Sequence, residues 1–294
     1  MKTLVAILLI LLAVPQALIA GPPAFGVVRT PAPVLNSADF RAVFGGGNGR
    51  SLKTDRCGQV RELEYIALPG TALTILGELK RGSDTLYRVQ TDEYPVRDTI
   101  PLFIDSRSVE FRVQAPPPRS RILTDRAEII TALRGVIGKG YVWGGNIPGG
   151  IPELAKWYYH LATGDDLPRL TLAGLDCSGL LYHASGGWTP RNTEQLISYG
   201  RSVSVAGKSA AAIAAIAEPL DLIVWKGHVI IVLDRETVIE SRLECGKPGN
   251  GGVTTTPLKH RLREIMRTRR PADVWPHDRS SKDVFVVRRW YGPQ

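Results

Sequence analysis

The sequence has 294 residues, of which 44% are hydrophobic and 22% are charged, and its formal net charge is +9. This composition suits a folded protein of one or two domains with a sizeable core. The positive charge favours an anionic partner surface. Nucleic acid is not expected as a partner, because the sequence lacks the combined aromatic and basic patterns that stack on bases.

The first twenty residues predict a secretory signal peptide. Lys2 precedes an apolar run at residues 4–14, and the small residue Ala20 closes the segment. The run is too short to span a bilayer comfortably, although an uncleaved membrane anchor remains the alternative. We therefore expect cleavage after residue 20 and an exported protein, either periplasmic or secreted.

Residues 26–115 predict a small all-β domain. Short strand-like runs separated by turn residues occur at 64–67, 72–76, 86–90 and 100–104. Such regular spacing is typical of a small barrel. Residues 65–95 and 103–111 resemble a bacterial SH3-like domain. A proline-rich segment, residues 116–121, follows and predicts a semi-rigid linker.

Residues 122–280 show a different pattern, with helices first and strands later. Thr124 is placed to cap a helix that ends at Gly138, and Asn192 starts another that ends at Gly200. An amphipathic helix that ends at Gly164 is indicated by Leu154, Trp157, Tyr158 and Leu161. A further helix is expected at 209–217, and strands are expected at 221–225, 228–234 and 237–241. This order predicts an α+β domain, followed by a C-terminal tail at 281–294.

The stretch LDCSGLLYHASG raises the question of what Cys177 does. A free cysteine is often an inert, buried small residue. The same stretch predicts a helix that begins at Asp176, and a cysteine in the first turn of a helix is favoured as a thiolate. If Cys57 and Cys245 form a bridge in an oxidising compartment, Cys177 is left free; the sequence alone leaves this pairing open. The cysteine spacing excludes a zinc knuckle, and no metal site is expected.

A nucleophilic cysteine needs a base, and His228 is the strongest candidate among the five histidines. It begins an apolar strand, although a buried or surface histidine is the alternative. If residues 234–236 form a three-residue turn, Ile230 faces Glu240 and His228 is the diagonal neighbour of that carboxylate. A two-residue turn places the two side chains on opposite faces. In a simpler alternative, Glu240 pairs with Arg242 at the surface.

Several stretches, taken in order, resemble the NlpC family of papain-like cell-wall cysteine peptidases. They are YVWGGN (141–146), LDCSGLLYHA (175–184), TPRNTEQ (189–195), DLIVWKGHVIIVLD (221–234) and TVIES (237–241). The resemblance covers most of residues 122–275. It implies a papain-like fold, in which the cysteine lies on a central helix packed against an antiparallel sheet.

The resemblance also implies roles for individual residues. The catalytic set is Cys177 as nucleophile, His228 as base and Glu240 as the third polar residue. The candidates for substrate binding or for stabilising the oxyanion are Tyr141, Trp143, Asp176 and Ser178. The implied activity is hydrolysis of peptidoglycan stem peptides between D-glutamate and a diamino acid, through a thioester and without a metal or other cofactor.

Two other functions remain open from the sequence. One is an amidase or acyltransferase that uses the same residues on another amide or ester. The other is a non-catalytic protein that binds the cell wall. In each case the expected partners are stem peptides and the anionic cell-wall surface, and the protein is expected to act as a monomer.

Two features depart from the family pattern. The third position is commonly His, Asn or Gln, whereas this chain has Glu240, whose carboxylate can still fix the imidazole tautomer. The segment between Trp143 and Cys177 is also longer than in compact members. Its residues 146–172 are expected either to pack as core, as such helical spacing usually indicates, or to form a wall of the substrate groove.

Overall fold

A computed structural model describes residues 24–97, 99–160, 164–276 and 282–292. The expected signal peptide, residues 1–20, lies outside these ranges. Within them, no helix has the length and apolar character needed to cross a membrane.

The N-terminal part of the structure is built around one antiparallel sheet. Its elements are β1 (Ala24–Val28), β2 (Ala32–Leu35), α1 (Phe40–Val43), β3 (Phe44–Gly45), β4 (Ser51–Leu52), β5 (Leu63–Ala67), β6 (Ala72–Arg81), β7 (Asp84–Gln90), β8 (Leu102–Asp105) and β9 (Val109–Arg112). Seven strands pair in the order β5-β2-β8-β7-β6-β1-β9, and β3 pairs with β4 in a separate hairpin. Alternation along β6 buries Leu73 and Ile75 against the sheet's own core.

The closed SH3-like barrel expected from the sequence is not what these strands form. The two end strands of the sheet, β5 and β9, do not pair with each other within the described residues. Strand spacing predicts how many short strands there are, but closure depends on which strands meet through space. The N-terminal part is therefore an open sheet.

The second part contains the remaining helices and a second large sheet. Its elements are α2 (Arg126–Gly135), β10 (Asn146–Ile147), α3 (Pro152–Tyr158), α4 (Leu167–Leu170), β11 (Gly174–Leu175), α5 (Cys177–Ala184), α6 (Thr193–Leu196), β12 (Arg201–Ser202), α7 (Ala210–Ile216), β13 (Leu222–Trp225), β14 (His228–Val232), β15 (Thr237–Leu243), β16 (Gly251–Pro257), α8 (Leu258–Ile265), β17 (Arg270–Pro271) and β18 (Val284–Arg289). Six strands pair in the order β12-β18-β13-β14-β15-β16, all antiparallel.

This second sheet is covered on both faces. Helices α2 and α5 pack on one face, where Leu180 and Leu181 contact Val229 and Ile231 in one apolar cluster. Helices α7 and α8 cover the other face, in a cluster that includes Leu262. Covering both faces explains why the central strands are nearly continuous apolar runs. The α+β class predicted from the sequence is confirmed.

Several boundaries differ from the sequence predictions; α2, for example, ends at Gly135 and not at Gly138, and α6 ends at Leu196 and not at Gly200. Asp125, not Thr124, caps α2, because its carboxylate accepts a hydrogen bond from the Glu128 amide at 2.8 Å. Helix α3 ends at Tyr158, and Leu161 lies outside the described residues. The expected C-terminal tail, 281–294, contains β18, which lies between β12 and β13 inside the sheet. The sequence does not reveal this strand's position, because its partners are distant along the chain.

The two parts of the chain share one core and a covalent link. Segment 146–172 packs against the N-terminal sheet, with Tyr158 beside the rings of Phe40 and Phe44. A disulfide joins Cys57 to Cys245, with Cα atoms 4.9 Å apart. The two parts are therefore held together both by packing and by a bond.

Candidate active site

Cys177 is the first residue of helix α5, and Asp176 caps that helix. The Asp176 carboxylate accepts a hydrogen bond from the Gly179 amide at 2.6 Å. A Cβ at Gly179 would collide with the carbonyl oxygen of Gly145, so glycine is required where the helix crosses that backbone. Cys177 is 7% exposed and is the free cysteine of the chain. Its backbone amide lies in the first turn, where amides have no partner within the helix.

Arg191 locks the start of this helix. Its guanidinium donates to both Asp176 oxygens at 3.0 and 2.7 Å, to Ser178 Oγ at 2.9 Å, to Asn146 Oδ1 at 3.1 Å and to the Gly145 carbonyl at 3.2 Å. Burial opposes the charge of Arg191, but the Asp176 carboxylate raises its pKa. The positive charge also offsets the negative Asp176 beside the nucleophile.

The Arg191 network includes the side chains of two residues that were predicted to bind substrate. Asp176 and Ser178 are buried, and their side chains are engaged with Arg191 and with each other. These two side chains therefore stabilise the start of the helix from the protein interior. Arg191 itself was not predicted, although it stands in the TPRNTEQ stretch, where a charged residue directly before a helix cap is a signal for such a clamp.

His228 and Glu240 meet because of the strand register predicted from a three-residue turn. Ile231 pairs with Ile239 and Val232 with Val238, which places Ile230 opposite Glu240. His228 Nε2 is 2.6 Å from Glu240 Oε2. The imidazole is therefore bonded to a buried carboxylate, as the diagonal arrangement predicts.

Cys177 lies next to His228. The cysteine side chain is one of the groups that raise the His228 pKa, and its sulfur lies 3.9 Å from the carbonyl oxygen of Gly227, the residue directly before His228. Since Glu240 occupies Nε2, the ring nitrogen left for Cys177 is Nδ1. The Trp225 ring, with its centroid 5.0 Å from that of the imidazole, packs beside it. The three predicted catalytic residues thus form one connected series.

The protonation states follow from these contacts. Burial by itself lowers the pKa of His228, but its hydrogen bonds to Cys177 and Glu240 outweigh burial and raise the pKa to about 9. Burial opposes ionisation of Glu240, yet hydrogen bonds from His228 and Arg261 lower its pKa to about 2. At neutral pH the pair is therefore an imidazolium and a carboxylate.

The alternative partner for Glu240, Arg242, is a secondary contact at 3.6 Å. The principal basic partner is Arg261 on α8, which donates to Oε1 at 2.7 Å and to Oε2 at 3.0 Å. The helical period is consistent with a partly buried Arg261, because this residue follows the buried Leu258 by three positions and directly precedes the buried Leu262.

Tyr141 and Trp143 lie on the segment before β10, and Tyr141 is close to Cys177. Burial, helped by the negative charges of Asp176 and Cys177, raises the pKa of Tyr141, so its phenol stays protonated. Within the described part of the chain its hydroxyl forms no hydrogen bond. Trp143 is 40% exposed, and its ring lies 4.6 Å beneath the guanidinium of Arg61.

Arg61 comes from the N-terminal part, on a loop next to the disulfide. Gln59 on the same loop accepts a hydrogen bond from the Trp143 amide at 2.9 Å and donates to the Cys57 carbonyl at 3.1 Å. Sequence analysis did not single out either residue, because the signal is spatial: the bond between Cys57 and Cys245 brings this loop to the site.

The inserted segment behaves as core. Leu154 and Tyr158 are buried, and Trp157 packs partly against the same cluster. The Asn146 side chain pairs with the Ile66 backbone, accepting from its amide at 3.1 Å and donating to its carbonyl at 3.0 Å. The apolar face of α3 and the Asn146 side chain therefore join the two parts of the chain.

No family model matches the chain, and no curated protein matches it. Among solved structures it is similar to an NlpC/P60 family protein from Bacillus cereus, with 15% identity over 91% of this chain and 63% of that one, at a TM-score of 0.33. It is also similar to NlpC2 from Trichomonas vaginalis, with 12% identity over 92% of this chain and 74% of that one, at a TM-score of 0.33. A third is an NlpC/P60 endopeptidase from Photobacterium damselae subsp. piscicida, with 12% identity over 79% of this chain and 66% of that one, at a TM-score of 0.39. The chain thus spans just under two thirds of the length of the first and third proteins.

These likenesses are too distant to assign an activity, and the chemistry follows from the site itself. Within the described ranges no three His, Cys, Asp or Glu side chains are grouped as metal ligands would be. The thiol of Cys177, the imidazole of His228 and the carboxylate of Glu240 are groups of the kinds that nucleophilic catalysis uses as nucleophile, base and orienting residue. Such an arrangement is suited to acyl transfer through a thioester.

Proposed function

We propose that the protein is an exported cysteine endopeptidase that hydrolyses peptidoglycan stem peptides, at the amide bond between D-glutamate and a diamino acid. The observation that carries the proposal is the position of His228, which is 2.6 Å from the Glu240 carboxylate and directly follows Gly227, whose carbonyl oxygen lies 3.9 Å from the Cys177 sulfur. A buried imidazole between a free thiol and an ionised carboxylate has the roles that nucleophilic catalysis requires.

The reaction begins at the sulfur of Cys177. The thiolate attacks the carbonyl carbon of the scissile amide, and the backbone amide of Cys177 in the first turn of α5 faces the developing oxyanion. Tyr141, protonated and beside the cysteine, is the candidate second donor. His228 then gives its Nδ1 proton to the leaving amine, and the C–N bond breaks to leave a thioester.

Hydrolysis completes the cycle. Neutral His228 removes a proton from water, the resulting hydroxide attacks the thioester carbon, and the C–S bond breaks to return the thiolate. Glu240 stabilises the imidazolium in both half-reactions and holds the ring by its Nε2–H bond. The released product is the free carboxylic acid of the acyl part.

Residues from the N-terminal part support an anionic peptide substrate. Arg61, which is bonded to Asp55 at 2.6 Å, stacks on Trp143 of the second part, and the two form a half-exposed cationic and aromatic surface. A carboxylate on the stem peptide is the group that a guanidinium would attract there. In this proposal the N-terminal part shapes the substrate site without supplying a catalytic group.

The disulfide supports an extracytoplasmic location. Bonds such as that between Cys57 and Cys245 persist in oxidising compartments and are rare in the cytosol. We therefore place the protein in the periplasm or outside the cell, associated with the cell wall. We further propose that it acts as a monomer.

The test is digestion of purified peptidoglycan, with the fragments weighed by mass spectrometry. We expect new products that end in D-glutamate, and none with Cys177→Ala. Ser198→Ala, at an exposed serine outside the Arg191 network, is the control and is expected to give the same products. Cleavage at another amide assigns an amidase instead. Sedimentation with the wall but no new fragments assigns a binding protein.

A further inference from the structure

Glu240 is shared between the candidate base and a residue outside the catalytic series. Its Oε2 is 2.6 Å from His228 Nε2. Arg261 donates to Oε1 from Nε at 2.7 Å and to Oε2 from Nη2 at 3.0 Å. The carboxylate is 1% exposed and the Arg261 side chain 14%. Both carboxylate oxygens are therefore engaged by one planar fork.

We propose that Arg261 is a positioning residue, which fixes the Glu240 carboxylate in the orientation that accepts a hydrogen bond from His228. The inference rests on the proposed function, in which Cys177 and His228 are the reactive pair. A carboxylate held at one oxygen can rotate about its last bond, whereas a bidentate guanidinium prevents that rotation. Arg261 thus acts on the imidazole through Glu240 and touches no reacting atom.

Arg261 is itself held in place. Its Nη1 donates to Glu264 one turn further along α8 at 3.1 Å, and Glu264 is also 3.1 Å from His260. The apolar side chains of Leu258 and Leu262 anchor the same helix in the core. The fork is therefore preorganised before any substrate binds.

The charges around Glu240 explain why one guanidinium matters. His228 faces the carboxylate from β14, Arg261 faces it from α8, and Arg242 on β15 lies 3.6 Å away. Arg242 is bonded to Glu244 at 2.9 Å and is partly exposed, so it does not replace the fork. From α5, Cys177 faces His228 and not Glu240. Without Arg261, burial would favour the protonated carboxyl, and His228 would lose its ionised partner at mildly acidic pH.

The experiment measures alkylation of Cys177 by iodoacetamide against pH in the full chain. Cys57 and Cys245 are bonded to each other, so the reagent reports one thiol. The variants are Arg261→Met, which removes the charge, and Arg261→Lys, which keeps the charge without the fork. Arg263→Met, on the exposed side of the same helix, is the control. Thermal unfolding and kcat on a stem peptide are measured alongside.

We expect Arg261→Met to move the acidic limb of the alkylation profile up by about one pH unit, and to lower kcat about ten- to a hundredfold. Arg261→Lys should return the limb toward its original position but leave kcat well below wild type, because an ammonium group cannot bind both oxygens. Arg263→Met should change neither quantity.

An unmoved acidic limb in Arg261→Met overturns the inference, whatever the activity. If that variant does not fold, Arg261→Lys decides, and wild-type kcat in it overturns the inference. If the acidic limb moves in Arg261→Met but the wild-type protein cleaves no stem peptide, the positioning role is supported and the proposed function is rejected. The two failures are thus distinguishable.

Discussion

Replacing Glu240 by glutamine tests whether the chain uses three residues or two. The amide keeps the shape of the side chain but removes its charge, and its NH₂ group must face either His228 or Arg261, both of which are donors here. One buried hydrogen bond is therefore lost and replaced by a contact between two donors. Neighbouring residues are unchanged, so the effect reports the carboxylate.

The expected loss in kcat is about ten- to a thousandfold. Loss of the orienting carboxylate in serine proteases costs about ten-thousandfold, and a cysteine enzyme begins from a more acidic nucleophile, which reduces the demand on the base. The pH profile should also change. The His228 pKa is about 9 because its contacts overcome burial. Without the Glu240 charge that pKa falls, so the imidazolium is lost sooner and the alkaline limb moves down, by about one pH unit or more.

The assay is initial rates of stem-peptide hydrolysis across the acidic to alkaline range. Glu244→Gln is the matched control, because Glu244 pairs with Arg242 and Lys247 and does not contact His228. It should keep both kcat and the alkaline limb. If Glu240→Gln also keeps both, the site is a dyad of Cys177 and His228, and the argument from the buried carboxylate is refuted.

Four further predictions follow from the same contacts. The Cys177→Ala variant should lose turnover but still sediment with insoluble wall. A wild-type rate in this variant would show that Cys177 is not the nucleophile. Arg61→Ala should raise KM several-fold with a smaller change in kcat, which steady-state kinetics on a stem peptide measures. Removing the bridge with Cys57→Ser and Cys245→Ser should lower the free energy of unfolding by about 3–5 kcal/mol in urea titrations, because the bond closes a long loop. Because the His228 pKa is raised in the folded protein, its contribution to the free energy of unfolding is fully present below pH 6.5 and is lost as pH rises through about 9. Because the Glu240 pKa is lowered, its contribution is present above pH 4.5 and is lost as pH falls through about 2. The free energy of unfolding, measured against pH, should therefore be highest between pH 4.5 and pH 6.5.

The sequence predicted that Cys177, His228 and Glu240 lie together because the signals for their positions are local. Asp176 before Cys177 indicates a helix start, and a three-residue turn at 234–236 brings Glu240 to His228 by register alone. Arg261 was missed because its partner is on another element, although its place beside Leu262 indicated a buried face.

The rest of the fold was less accessible from local patterns. Strand β18 pairs with β13, whose residues lie far earlier in the chain. The N-terminal strands were located by their spacing, but their order in the sheet and the open edge depend on long-range pairing. Contacts between distant segments, such as Arg61 on Trp143, leave no periodic signal in either segment.

The bond between Cys57 and Cys245 also makes a covalent ring of the chain. Tyr141, Cys177 and His228 all lie inside that ring, since the bridge spans 188 positions. A single proteolytic cut anywhere within it opens the ring but releases no fragment, because the two new ends belong to pieces still tied through sulfur. The candidate catalytic residues therefore stay on one molecule after nicking, and a second cut is needed before any of them can diffuse away.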